Sequence, residues 1–141
     1  MSLRILWSTL KRGRLNKINM DIRIKATNYE LTTDVSAYLE ERIRTLEKFL
    51  GDHADSSRCE VELGRDAGRP RHGANIWFAE IAIITPGRDR VYARNNSESI
   101  NGAIDDVIEE VERELLRERK LHRRFLRKGG AILKRVMRFG R

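Results

Sequence analysis

The spacing of apolar residues switches between two and about 3.6 along this chain, and the order of those switches leaves few folds open. Residues 20–27 alternate, with Ile22, Ile24 and Ala26 on one side, as a half-buried strand does. Thr32 or Thr33 then caps a helix running to Leu50, with Gly51 as its stop. Its apolar stripe is Val35, Tyr38, Leu39, Ile43, Leu46, Phe49 and Leu50. Residues 57–63 alternate again, placing Cys59, Val61 and Leu63 inward against Arg58, Glu60 and Glu62. A polar turn at 64–73 follows, rich in glycine and holding Pro70.

Residues 75–85 predict a third strand with Trp77, Ala79, Ile81 and Ile83 facing one way. Its other face, Ile76, Phe78, Glu80, Ala82 and Ile84, is less polar than a solvated face should be. Pro86-Gly87 turns into a fourth strand over 88–94, with Val91 and Ala93 inward. Asn96 or Ser97 starts a second helix whose stripe is Ile100, Ala103, Ile104, Val107, Ile108, Val111 and Leu115. That helix is expected to reach Lys128, where Gly129-Gly130 breaks it.

The order is therefore β-α-β-β-β-α. Single-striped helices and alternating strands predict an α+β, two-layer sandwich: a four-stranded sheet with both helices on one face. The first strand, returning through a helix, is expected to pair in parallel with an inner strand, while the outer sheet face stays open to water or a partner. At 141 residues the chain holds one domain, expected over 20–128, with a basic extension at 1–19 and a basic tail at 129–141.

Charge is distributed far less evenly than the net +8 implies. Residues 1–19 hold five cations and no acid, residues 20–118 carry a net −7, and residues 119–141 hold ten Lys/Arg and no acid. The sign changes abruptly at Glu118/Arg119, after seven acids between 105 and 118. Unopposed cations cannot be buried and repel one another, so the tail needs a polyanion or solvent. Any contact of the acidic body with nucleic acid must use a local patch.

Little in the sequence points to catalysis. His53, His72 and His122 lie in a loop, a turn and the basic tail, without metal-ligand spacing to Cys59. Cys59 alternates with core residues and reads as a packed thiol; a single cysteine excludes an internal disulfide and fits a reducing cytoplasm. Asp105, Asp106, Glu109 and Glu110 read as a solvated helix face. No nucleotide-binding motif surrounds the glycines of 64–73. No enzyme activity, cofactor, metal or small-molecule substrate is expected. No apolar run approaches the roughly 20 residues of a membrane span. In 1–19, Leu3, Leu6, Trp7 and Leu10 fall at helical spacing beside cations, which fits either a surface-seeking helix or an extension before a true start at Met20.

Three stretches, MDIRIKATNYELT, YLEERIRTLEKFL and GAIDDVIEEVERELLRERK, together resemble the ribosome hibernation-promoting factors and related ribosome-associated translation inhibitors, also called sigma-54 modulation proteins. The resemblance spans about residues 20–124 in the same element order. It implies a fold similar to double-stranded RNA-binding domains and a non-enzymatic protein in the cytoplasm. Its implied partner is the small ribosomal subunit and its 16S rRNA, where it would occlude the mRNA and tRNA decoding channel and hold idle ribosomes under stress. The chain is similar to the short forms, without the C-terminal dimerisation domain of the long ones.

Carried over position by position, the resemblance implies rRNA contacts at Lys25 on the first strand and at Arg42 and Lys48 on the first helix. On the second helix it implies Arg113, Arg117 and Arg119. The tail cations Lys120, Arg123, Arg124, Arg127 and Lys128 join this set because no local acid opposes them, and the acidic half of the helix is expected to face away from the RNA. Asn101 stands where an aromatic is usual, and Thr45 and Glu110 where lysine is common, which weakens the helix-face patch. Ordinary salt bridging is the competing role for Arg42 and Lys48. Two rival functions remain: a general double-stranded RNA-binding module, and a membrane- or protein-docking regulator using 1–19 and the apolar outer face at Ile76, Phe78 and Ile84.

Overall fold

Burial of alternate strand residues and of one stripe on each helix builds the sandwich that the apolar spacing predicts. The computed structural model describes residues 19–67 and 74–139. In chain order the elements are β1 (Asp21–Thr27), α1 (Thr33–Leu50), a 3-10 turn (Gly51–Ser56), β2 (Arg58–Arg65), β3 (Trp77–Ile84), β4 (Val91–Ser97) and α2 (Ile100–Phe139). The sheet order is β1-β2-β3-β4. β1 runs parallel to β2, as its return through a helix requires, and the other pairs are antiparallel. The N-terminal stretch 1–18, the turn residues 68–73 with His72, and residues 140–141 lie outside the described residues.

Helix α1 starts where Thr32 Oγ1 accepts a hydrogen bond from the Val35 amide at 3.3 Å, and it ends at Gly51, whose φ of +54° suits glycine. Just before β1, the amides of Asn19 and Met20 both donate to the Glu47 carboxylate of α1, at 2.6 and 3.1 Å. The core lies between sheet and helices. Ile22, Ile24, Val61, Leu63, Ile81 and Ile83 from the sheet meet Leu39, Ile43 and Leu46 of α1 and Ile104, Val107, Ile108 and Val111 of α2. Each fully buried aliphatic side chain contributes roughly 1.5–3 kcal/mol against the entropy of ordering. Cys59 is among the buried residues, and burial raises its thiol pKa well above the usual value.

Three expectations are corrected. Strand β4 continues to Ser97, and α2 begins at Ile100 rather than at Asn96 or Ser97. The cap is Ser99, whose Oγ accepts from the Gly102 amide at 3.0 Å, because Asn95 and Asn96 still pair across to β3. Second, Gly129-Gly130 does not break α2, which runs unbroken to Phe139. Glycine costs a helix about 1 kcal/mol relative to alanine but adopts helical angles freely, and Arg, Lys and Leu on either side favour propagation. Third, the outer sheet face is not an open apolar surface. Phe78 is only 3% exposed, with the Arg94 guanidinium 4.0 Å above its ring, and Ala82 is buried as well.

One ion pair marks where α2 leaves the sheet. Arg88, in the β3–β4 turn, donates from Nε and Nη2 to the two carboxylate oxygens of Glu118 at 2.9 and 2.7 Å. The side chains are 17% and 16% exposed, so this fork is screened far less than a surface pair. Leu115, one turn earlier, is the last buried residue of the helix among those described.

Glu118→Ala should lower stability by about 1–3 kcal/mol, seen as a lower urea midpoint at unchanged slope. At Gly64 an added Cβ would lie 2.2 Å from the Thr27 carbonyl oxygen and 3.0 Å from the Phe78 ring. Gly64→Ala should therefore cost about 1–3 kcal/mol in the same measurement. A thiol reagent should label Cys59 in unfolded protein and leave the native protein unlabelled; rapid labelling without denaturant would contradict its burial.

Candidate nucleic-acid interface

The cations predicted to touch RNA fall into two groups with opposite surroundings. Those on the sheet and on α1 are mostly engaged within the domain. Lys25 lies on the outer face of β1, its Nζ 3.7 Å from Glu62. Strand register lines up Lys25, Glu62, Glu80 and Arg94 across the sheet, and Arg94 reaches both Glu80 at 3.2 Å and Asp66 at 2.9 Å. Arg23 pairs with Asp21 and Arg58 with Glu60. The outer sheet face is thus a mixed-charge lattice rather than a basic patch, and repels phosphate as much as it attracts it.

Arg42 sits at the seam between the helices, its Nε 3.3 Å from Asp105 Oδ1. That approach is off the hydrogen-bond direction, so the contact is Coulombic and Nε is left without a hydrogen-bond partner. Tyr38 donates its hydroxyl to the same Asp105 oxygen; this bond, then burial, raises the Tyr38 pKa. Thr45 donates its hydroxyl to Glu112 at 3.2 Å across the same seam. Lys48 is exposed in the last turn of α1, where a cation suits the helix dipole, with its Nζ 5.1 Å from the Phe49 ring centre.

The second group lies on α2. Arg113, Arg117, Lys120, Arg124 and Arg127 recur at steps of three and four, so they share one face of the helix. Arg123 and Lys128 flank that row, and Arg119 lies nearer the line of Leu115. All eight are exposed, and Arg117 is 3.9 Å from Glu114 in an i,i+3 pair of little strength. Among the described residues no acid pairs with the six cations from Arg119 to Lys128. The row lies opposite the buried stripe of Val107, Val111 and Leu115, so it points away from the sheet.

Helical phase does not put the acidic half and the basic half of α2 on different faces. Asp106, Glu109 and Glu110 occupy the same outward face as the basic row, only nearer the start of α2. Most of the other acids of that half, and Glu110 itself, have partners elsewhere in the domain. Asp105 meets α1, Glu110 accepts from Asn95 at 2.6 Å, Glu112 meets Thr45, and Glu118 holds Arg88, while Glu114 meets only Arg117 of its own helix. The sequence does not reveal this division because each partner lies 15 to 67 positions away, beyond any local pattern. Arg88 carries no sequence signal as a site residue at all.

Among the described residues no element covers the helix past Leu115, and Leu121, Phe125, Leu126 and Ile132 are all exposed. Among the described residues no helix is long and apolar enough to cross a membrane, and no group of three His, Cys, Asp or Glu could hold a metal ion.

No curated protein matches the chain. Solved structures do. The N-terminal domain of Thermus thermophilus Protein Y superposes with a TM-score of 0.53 at 22% identity, over 68% of this chain and 92% of that one. A ribosomal subunit interface protein from Coxiella burnetii gives 0.56 at 10% identity, over 70% and 97%. At these identities the likeness establishes the fold. The family is established by sequence: the model of the sigma 54 modulation protein / S30EA ribosomal protein family matches residues 22–123, most of the described domain, and the chain belongs to that family.

Proposed function

We propose that this protein is a ribosome hibernation factor, acting without catalysis in the cytoplasm. It binds the small ribosomal subunit through 16S rRNA at the mRNA and tRNA decoding channel and inhibits translation by occupying it. The observation that carries this reading is the set of exposed cations from Arg119 to Lys128 on the projecting part of α2, with no acid partner among the described residues, in a chain of this family. Steric occlusion needs affinity and shape but no reacting group, which suits a domain whose one thiol is buried.

In this mechanism Arg113, Arg117, Lys120, Arg124 and Arg127 form the contact face, with Arg123 and Lys128 gripping from the sides and Arg119 nearer the line of Leu115. Each phosphate they neutralise releases counterions, which makes binding tight and salt-sensitive. Shape supplies selectivity, since A-form RNA is read through backbone and groove. Lys48 is free to add a contact. Lys25 and Arg42 join only if they leave Glu62 and Asp105, so their substitution should matter less.

Gradient sedimentation with purified ribosomes at low salt tests the reading directly. The protein should travel with the small subunit, and excess duplex RNA should not displace it. Displacement at parity would favour a general duplex-binding module, and a protein left at the top of the gradient would end the ribosomal reading. Truncation after Glu118 keeps every buried residue among those described and removes ten Lys/Arg. It should weaken binding and flatten log K against log salt by about 0.7–0.9 for each phosphate no longer neutralised. An unchanged slope would assign the phosphate contacts to the remaining domain.

A further inference from the structure

We propose that residues 1–18 dock on their own domain, with Leu3, Leu6, Trp7 and Leu10 in the groove between the β3–β4 turn and the projecting part of α2. This holds whichever partner the basic row of that helix meets. The groove is open, about 440 Å³, and is walled by Arg88 and Asp89 on the turn side and by Leu121, His122 and Phe125 on the helix side. Phe125 is 71% exposed and Leu121 53%, so the groove offers two large apolar side chains that nothing among the described residues covers. Phe125 and Ile132 stand at steps of seven from Val111 and Glu118. Their stripe therefore prolongs the face that α2 turns to the core, opposite the basic row.

Charge around the groove favours a cationic occupant. Asp52 and Asp55 in the 3-10 turn and Asp89 in the β3–β4 turn are exposed, and none of them has an ion pair among the described residues. Arg88 is committed to Glu118. This end of the domain thus disfavours a nucleic acid or an anionic bilayer and attracts positive charge. Residues 1–18 hold Arg4, Lys11, Arg12, Arg14 and Lys17 and no acid. The basic row of α2 repels the same segment from the opposite face, which leaves the groove side as its approach. Leu3, Leu6, Trp7 and Leu10 recur at helical spacing and supply an apolar face for Leu121 and Phe125 to bury against.

The chain also leaves the domain at the right end. The Asn19 amide donates to Glu47 near the end of α1, and the Asp21 amide to the Ser57 carbonyl at 3.2 Å. Ser57 Oγ lies 2.8 Å from Thr85 Oγ1, and His53, Thr85, Arg88, Asp89 and Glu118 line one small cavity. Asn19, the 3-10 turn and the groove therefore share one end of the sandwich. Three strand spacings, about 14 Å, separate β1 from β4. A segment of this length spans about 27 Å as a helix and up to about 60 Å extended, so it reaches the groove either way. The order of residues fits too. The four cations from Lys11 to Lys17 lie nearest Asn19 and cross the acidic end, and the apolar residues lie beyond them.

Trp7 reports docking once Trp77 is replaced, because the chain has only these two tryptophans. In the full chain carrying Trp77→Phe, Trp7 emission should be blue-shifted, and its quenching by acrylamide several-fold weaker, relative to a peptide of residues 1–18. Phe125→Gln should move the docked-to-undocked ratio about tenfold toward undocked. Asp89→Lys should move it about two- to fivefold the same way, an effect that added salt removes. Quenching equal to the peptide's, or protection that neither substitution changes, overturns the proposal. So does protection that rises with protein concentration, which assigns the groove to the segment of a second copy. Protection that needs phosphatidylserine vesicles assigns the segment to a membrane and overturns it as well. A second measurement does not depend on Trp77. Deleting residues 1–18 from the wild-type chain should raise binding of the neutral apolar dye Nile red, and Phe125→Gln should remove the added signal. Unchanged dye binding on deletion, with far-UV ellipticity showing a folded domain, overturns the proposal.

Discussion

Everything in this structure depends on α2 laying one face across the inner side of β3 and β4 and against α1. Ala103, Ile104, Val107, Ile108, Val111 and Leu115 close the core from above, and without them the alternating strands would expose half their residues to water. The same packing sets what the rest of the helix is free to do. The sheet covers α2 as far as Leu115, the last buried residue of the helix among those described, and α2 continues to Phe139.

That geometry gives the change of charge sign a structural meaning. Acids in the covered half serve as attachments: Asp105 and Glu112 to α1, Glu110 to β4, Glu118 to the hairpin turn. Cations begin in earnest one residue after the last attachment. The helix is mostly negative where it bonds to its own domain and positive beyond it, although Asp106 and Glu109 remain exposed on the outward face.

The fold was largely legible in the sequence because each element signals itself locally. Ile22, Ile24 and Ala26 alternate, Thr32 caps, Gly51 stops, and the two helical stripes point to one sheet face. The misjudged boundaries have local causes too: Asn95 and Asn96 look like helix caps but are held in β4 by pairing to β3, and two glycines look like a break where only a cost is present. The site was legible in part. Exposed cations with no nearby acid in sequence, from Arg119 to Lys128, are unpaired in space as well, among the described residues. Lys25 and Arg42 are not, because Glu62 and Asp105 reach them from distant strands and helices. Nor could alternation reveal that Arg94 roofs Phe78, which turned an apparently apolar outer face into a covered one.

The Arg88–Glu118 fork stands at the root of a projecting helix about 30 Å long. Mechanically it is the pivot of a cantilever. A tilt of about 10° at that point would carry the far end through about 5 Å, comparable with the step from one phosphate to the next. Two hydrogen bonds in a fixed plane resist such a tilt in a way that a single point contact cannot. Aim, as distinct from charge, is therefore decided at one turn of the hairpin, by a residue pair that lies outside the basic row.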